Sequence, residues 1–331
     1  MSKTALATRE QVLKEIESNN QFLLVTHEHV DGDALGSLIA MNELLKVLKK
    51  DTVMFMAPSE FPISHEYSFL DLSQGVSKLP NDIDERTIIF LDCGNIDRNP
   101  ADILKHPGVR SINVDHHHDN TYFGTYNYVR SDASCTAEIV WDLMHGFNVE
   151  PNLKMAQSLY VGLVTDTGRF MYENTSPRAH RMAAELIEAG VDVHDIYRKL
   201  YEGIPQAKLE LLALGLAKIK RFDNGKLTLT CLSQEDYKAA GAQESHSEGV
   251  IDYLRSLEGT TIAALIRDRT SDSAQGKKKV SLRSSTSDMD VSVIARAQGG
   301  GGHRQAAGFT TDLSCEQLID FLRQQISTQS G

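Results

Sequence analysis

Residues 26–37 read THEHVDGDALGS. The run 22–25 before them is wholly apolar and predicts a short buried strand. After them Leu35, Leu38, Ile39, Leu44, Leu45 and Leu48 recur at helical spacing and predict a helix over 34–48. Between strand and helix lie His27, His29, Asp31 and Asp33, with Gly32 allowing a tight turn. A strand end feeding a helix start is where open α/β sheets keep their sites. Two carboxylates and an imidazole crowded there repel one another or stay unsatisfied unless a cation joins them. A bound metal meets that need. The plainer alternative is a polar loop whose Asp33 caps the helix.

Further along, other strand-like runs end the same way. Residues 87–91, TIIFL, form the continuous apolar run of a parallel strand buried on both faces, and it stops at Asp92-Cys93-Gly94. Residues 109–114 predict another strand, stopping at Asp115-His116-His117-His118-Asp119. In a parallel sheet these ends share one edge, so residues far apart in sequence meet there. A helix expected over 153–165 runs into Asp166-Thr167-Gly168, and a helix over about 135–145 precedes it. Further helices are expected over 8–19 and 178–189, the latter with Gly190 as its cap, and a strand over 52–56. The stretch 58–80 is poorly periodic, with Phe61, Tyr67, Phe69 and Leu70 expected to pack it down.

The texture changes in the last third. Helical spacing continues over 191–220, interrupted at Pro205, and predicts a connector. Alternation around Asp223-Asn224-Gly225 is a hairpin signal. Helices over 234–240 and 247–257, strands over 260–267 and 280–283, a short helix over 291–297, a strand over 309–311 and a closing helix over 314–325 complete the chain. Lys277-Lys278-Lys279 reads as a solvated hairpin tip, and Thr136 and Glu138 read as capping residues. His29, His118, His65, His106, His145, His180, His194 and His246 read as surface histidines, and Arg98 as a phosphate contact or a salt bridge.

The 331 residues suit two domains, each large enough to bury a core. No run approaches the ~20 apolar residues of a membrane span, and MSKTALATRE lacks an apolar signal core. Cys93, Cys135, Cys231 and Cys315 are far apart and form no CxxC pair, so a reducing cytoplasm is expected. A net charge of −11 argues against wrapping long nucleic acid, though a small phosphorylated substrate remains compatible with it.

His27, Asp31, Asp33, Asp92, Asp115, His116, His117 and Asp166 together offer carboxylate and imidazole but no thiolate. That set suits Mn²⁺, Mg²⁺, Fe²⁺ or Zn²⁺. It is too large for one ion; two ions ~3.5–4 Å apart, bridged by a carboxylate, would use it in an in-line attack on a phosphoryl centre.

HEHVDGDALGS, LDCG, DHHH and TDTG, in this order, resemble the four motifs of the DHH phosphoesterase superfamily. GGGGHRQAAGF resembles the glycine-rich signature of the DHH-associated domain. Within that superfamily a two-domain chain of this size is most similar to the bacterial nanoRNases that also dephosphorylate 3′-phosphoadenosine 5′-phosphate (pAp). The resemblance implies that His27, Asp31 and Asp92 hold one metal and that Asp33, Asp92, His116 and Asp166 hold the other. Asp92 would bridge, His117 would face the phosphate, and Asp115 would orient the turn. It also implies a substrate site of Arg283, Ser284, Gly300, Gly301, Gly302 and His303, two divalent ions with Mn²⁺ foremost, and a homodimer.

The resulting expectation is an α/β chain: a parallel-sheet catalytic domain over 1–190, a helical connector over 191–217 and a smaller α/β substrate domain over 218–331. It would be a cytoplasmic enzyme cutting short oligoribonucleotides to mononucleotides and pAp to AMP, without long nucleic acid or membrane as partner. A phosphodiesterase for cyclic di-AMP or pApA is the enzymatic rival, and a non-catalytic nucleotide sensor is the rival of another class.

Overall fold

The computed structural model describes residues 6–99, 101, 109–269, 276–286, 288–302 and 304–330. The chain divides into two compact units, Met1–Glu202 and Gly203–Gly331.

In the first unit the elements run α1 (Arg9–Ser18), β1 (Gln21–Val25), α2 (Gly32–Val47), β2 (Asp51–Phe55), β3 (Gly75–Val76), β4 (Thr87–Leu91), β5 (Ser111–Asp115), β6 (Tyr126–Val129), α3 (Thr136–Gly146), α4 (Leu153–Asp166), α5 (Pro177–Glu188) and α6 (Val193–Tyr201). The strands form one sheet in the order β3-β2-β1-β4-β5-β6, every pair parallel. Burial on both faces explains why β1 and β4 are apolar after their first residues, Gln21 and Thr87. Phe22, Leu24, Ile89 and Leu91 join the large core shared with α1 to α5, while Leu23, Val25, Ile88 and Phe90 pack on the opposite face against Phe55, Val53 and Phe123. The strand expected over 109–114 starts at Ser111, and the short edge strands β3 and β6 have no counterpart in the sequence reading. Tyr67, Phe69 and Leu70 do pack onto the core, but Phe61 is exposed.

α2 is buried nearly all round because it lies against α4 at backbone distance. A Cβ on Gly36 would stand 2.3 Å from the Ser158 carbonyl oxygen and 3.0 Å from the Gly162 nitrogen. This approach brings Asp33, in the first turn of α2, beside Asp166, in the last turn of α4.

The second unit contains α7 (Gln206–Ala217), β7 (Lys220–Phe222), β8 (Leu227–Leu232), α8 (Gln234–Ala240), α9 (Val250–Arg255), β9 (Ile262–Asp268), β10 (Lys278–Ser284), α10 (Val291–Arg296), β11 (Gly301–Gly302), β12 (Ala306–Thr311) and α11 (Cys315–Ser330). The stretch read as a connector is divided, α6 falling in the first unit and α7 in the second. The sheet order is β11-β12-β10-β9-β8-β7, antiparallel except between β8 and β9. One face packs on α10 and α11 through Ile294, Leu318 and Leu322; Ala263 and Leu265 on the other face pack on α7, α8 and α9. Asp223 and Asn224 both take positive φ, 54° and 56°, as a hairpin turn of this type requires. The helix expected over 247–257 is instead a 3₁₀ turn, Glu244–Ser247, and α9, separated by Gly249 at φ +89°. Lys278 and Lys279 are ladder residues of β10 rather than a solvated tip.

Candidate metal centre

In the order β3-β2-β1-β4-β5-β6 the chain reverses direction across the sheet between β1 and β4. The crevice outside the carboxyl ends of such strands is where open α/β sheets place ligands. His27 follows β1, Asp92 follows β4, and Asp115 ends β5.

The cap of α2 is Asp31, not Asp33. Asp31 Oδ1 accepts from the Asp33 and Ala34 amides at 3.1 and 3.0 Å. Asp33 is 1% exposed and turns inward. It accepts from the Thr136 and Ala137 amides at 2.6 and 2.9 Å, buried first-turn donors of α3 that have no partner within the helix, and from the Ser37 hydroxyl at 3.3 Å. Even so, burial, then the charges of Asp92, Asp166 and Asp31, push its carboxyl well above the ordinary range.

Asp92 sits just past β4 with φ +56°, a conformation uncommon outside glycine, and it is 2% exposed. Its Oδ1 accepts from the Thr136 hydroxyl at 3.0 Å. Its Oδ2 lies 3.4 Å from His27 Nε2, and its Oδ1 lies 3.6 Å from His116 Nε2. His27 Nδ1 is 2.7 Å from the Glu28 carbonyl oxygen, so an N–H donated there leaves the Nε2 lone pair facing Asp92. Arg98 reaches the same ring, Nη2 to Nδ1 at 3.3 Å.

His116 Nε2 also lies 4.0 Å from Asp33 Oδ2 and 3.8 Å from Asp166 Oδ2. Among the described residues three donor groups result: His27, Asp31 and Asp92; Asp33, His116 and Asp166; Asp92, His116 and His117. Within each group the donor atoms lie within 4.8 Å of one another. Separations of 3.4–4.0 Å are long for hydrogen bonds. They approach the ~3–3.4 Å edges of an octahedron or tetrahedron built on metal bonds of about 2.1 Å. Burial, with the charges of Asp92 and Asp31, also lifts the Asp166 carboxyl to about 7. Four carboxylates facing two imidazoles are thus short of positive charge, which divalent cations would supply.

His117 belongs to a second line of contacts. Asp115, fully buried, accepts from His117 Nδ1 at 2.8 Å, and its other oxygen accepts from the Asn120 amide at 2.5 Å. Asn120 is held in turn by Asn113 at 3.2 Å and the Tyr122 amide at 2.7 Å. Against the burial that would lower it, the Asp115 carboxylate raises the His117 imidazole to about 9.

The sequence reading misses two of these residues. Thr136, read as a capping residue, binds both Asp33 and Asp92. Glu138 accepts from the Ser134 amide at 3.0 Å, one residue before the Cys135 N-cap of α3, beside Arg178. Asn120 stands three residues after His117, and its place in a polar DHHHDN run is the signal that could have found it. His29 and His118 are exposed, as expected.

The other candidates lie in the second unit. Arg283 is a partly exposed residue of β10. Ser284 is 1% exposed and its hydroxyl donates to the Thr286 carbonyl at 2.7 Å, so it secures the strand end rather than facing solvent. Gly300 and Gly302 let β11 lie close on β12: a Cβ on Gly300 would meet the Gly308 oxygen at 2.2 Å, and Gly302 has φ +132°. A Cβ on Gly301 would meet nothing within 4 Å. His303 lies outside the described residues, as does His106.

The family model for the DHH family, N-terminal domain, matches residues 21–163, and that for the DHHA1 domain matches 226–328. A bifunctional oligoribonuclease and PAP phosphatase NrnA of Thermus thermophilus is 32% identical, covering 97% of this chain and 94% of its own length. The protein of that name from Bacillus subtilis is 24% identical over 90% of this chain and 91% of its own. Among solved structures, an exopolyphosphatase-related protein from Bacteroides fragilis superposes with a TM-score of 0.85 at 24% identity, covering 97% and 95% of the two chains. Exonuclease RecJ bound to manganese gives 0.53 at 15% identity, covering 98% and 95%. At those identities the likeness is one of fold.

Proposed function

The chain belongs to the DHH family, with a DHHA1 domain following the DHH domain, and on that basis we propose that it is a divalent-metal phosphohydrolase of small nucleotides. Its substrates are short oligoribonucleotides, cut to mononucleotides, and pAp, dephosphorylated to AMP. The carrying observation is that Asp92 belongs to two of the three donor groups, one with His27 and Asp31 and one with His116 and His117. The substrate class is supported by the near full-length similarity to proteins named for those two activities.

In this reading His27, Asp31 and Asp92 hold one ion, and Asp33, Asp92, His116 and Asp166 hold the other. Mixed carboxylate and imidazole donors suit Mn²⁺. A pair of bound divalent ions supplies Lewis acidity at the phosphoryl oxygens. The protein's own contribution is positional. The α3 amides and the Thr136 hydroxyl fix Asp33 and Asp92. Asp115 occupies His117 Nδ1 and favours the protonated ring, whose Nε2–H is then the donor it can offer to a phosphoryl oxygen or leaving group. The second unit takes the nucleotide through Arg283, Gly300, the β11 glycines Gly301 and Gly302, and His303. Among the described residues no helix is long and apolar enough to cross a membrane, and the cytoplasm is the compartment we assign.

The test is turnover under Mn²⁺, with a chelated control, on pAp, cyclic di-AMP and RNA from a dinucleotide to ~24 nucleotides. Unneutralised phosphates on an acidic protein disfavour length, so pAp and oligomers of about two to five nucleotides should turn over fastest. Equal rates on the longest RNA would indicate a general exonuclease, preference for cyclic di-AMP a second-messenger phosphodiesterase, and no turnover a sensor.

A further inference from the structure

β8 turns alternate residues toward α10 and α11: Leu227 and Leu229 belong to the core on that side, and Cys231, two residues on, packs against it. Cys315 is the first residue of α11 and packs against the same core. Two cysteines far apart in sequence are thus brought to one side of the second unit's sheet. Both are partly exposed, whereas Cys93 and Cys135 of the first unit are fully buried.

The two thiols face each other. The Cys315 sulfur accepts a hydrogen bond from the Cys231 S–H, which draws the Cys315 thiol down to about 7 and pushes the Cys231 thiol up. Burial and the Asp268 carboxylate oppose the Cys315 thiolate, while the ammonium groups of Lys278 and Lys220 favour it. Lys278 is held in place by its ion pair with Asp268.

The helix acts in the same direction. Ser314 caps α11: its hydroxyl accepts from the Gln317 amide at 3.2 Å, and its amide donates to the Gln317 side chain at 2.9 Å. Cys315 therefore stands in the first turn, where unpaired amides and the helix dipole favour an anion. A thiol exchanges with disulfides most effectively when its pKa lies near the ambient pH, and a second thiol in contact can then displace the group it has captured. Cys315 has the first property and Cys231 supplies the second thiol.

We propose that Cys231 and Cys315 form a redox-responsive dithiol, which a low-molecular-weight disulfide closes. Cys315 Sγ attacks one sulfur of that reagent, forming a mixed disulfide and expelling one thiolate. Cys231 passes its proton to the expelled thiolate, and its sulfur attacks Cys315 Sγ and expels the other half of the reagent. The two cysteines lose two electrons, the reagent ends as one thiol and one thiolate, and the new bond ties the start of α11 to β8. Reversible pairs of this kind are the disulfides that a reducing compartment accommodates.

The test exposes the full chain, loaded with Mn²⁺, to oxidised glutathione near neutral pH, followed by acid quenching, thiol counting and peptide mapping by mass spectrometry. Free thiols should fall from four to two, with the peptides carrying Cys231 and Cys315 joined, and dithiothreitol should restore all four. Cys231→Ser should accumulate a glutathionyl adduct on Cys315, having no thiol to displace it. Cys315→Ser should react about tenfold more slowly, because the remaining thiol is mostly protonated at that pH. A wild type that keeps four thiols, a link that involves Cys93 or Cys135, or a lasting adduct without the 231–315 link would overturn the pair. Equal rates in the two serine variants would overturn Cys315 as the attacking thiol. The wild-type map decides the pair even where a serine variant fails to fold.

Discussion

Gly162 of α4 makes room for Asp33 of α2: a Cβ placed on it would stand 2.9 Å from Asp33 Oδ1 and 2.7 Å from the Ala137 Cβ. The glycine therefore shapes the candidate metal centre although it offers no ligand. Alanine normally favours a helix interior by about 1 kcal/mol over glycine. Here the overlap should outweigh that gain, as overpacked cores lose about 1–3 kcal/mol. Gly162→Ala should lower the melting temperature and weaken Mn²⁺ binding together, measured by thermal denaturation and calorimetry. A variant more stable than wild type with unchanged metal affinity would refute the steric argument.

Thr136 couples two candidate ligands, its amide to Asp33 and its hydroxyl to Asp92. Thr136→Val keeps the amide and the shape but removes the hydroxyl donor, leaving a buried carboxylate oxygen short of a bond. Metal affinity and turnover should fall by about ten- to a hundredfold, the range seen when a ligand loses its supporting bond, and Thr136→Ser should recover most of it. Valine and serine variants of equal activity would show that the hydroxyl is idle.

Asn120 donates to Asp115, and through Asp115 it bears on His117. Asn120→Ala should leave metal content intact while lowering kcat by about tenfold or more, since His117 loses its fixed orientation. Metal analysis beside steady-state kinetics separates this from a ligand defect; loss of metal with loss of activity would place Asn120 in the wrong role.

Protonation gives a signed prediction for the chelated protein. Asp166 at about 7 and His117 at about 9 both lie above their unfolded values of about 3.9 and 6.5. The folded chain thus holds more protons at these groups, and their stabilisation, full below the unfolded values, is lost as pH rises through the folded ones. Asp92 and Asp115 are held low by the neighbouring imidazoles against the cost of burial, so their contribution is lost only as pH falls below the ordinary carboxylate range. Melting temperature in chelator should therefore decline between about pH 5 and 9, and Mn²⁺ should reduce the decline by replacing the protons. A chelated protein that gains stability across that interval would contradict the protonation scheme.

The place where the candidate donors gather was legible in the sequence because three strands of the parallel sheet, β1, β4 and β5, stop at or beside Asp or His. That pattern places His27, Asp92 and Asp115 on one edge without any knowledge of strand order. Thr136 was not legible, because its role depends on the start of α3 meeting Asp33 across 103 residues of chain. Asp33 itself looks like a cap until α4 is seen to press α2 inward at Gly36 and Gly162. The lysine run 277–279 shows a different limit. A charge run reads as solvent-exposed, and only the strand register separates Lys278, paired with Asp268, from Lys279 on the face shared with Arg267. The short strands β3 and β6 are too brief for periodicity to distinguish from loop.

The central claim is that Asp92 is shared between two ions. Metal stoichiometry, counted by inductively coupled plasma analysis and calorimetry on wild type and Asp92→Ala, tests it most directly. The account predicts two Mn²⁺ per wild-type chain, and in the variant loss of both high-affinity sites together with turnover, because one change removes a ligand from each ion. A single ion in wild type, or an Asp92→Ala protein that keeps both ions and hydrolyses pAp at the wild-type rate, would contradict it.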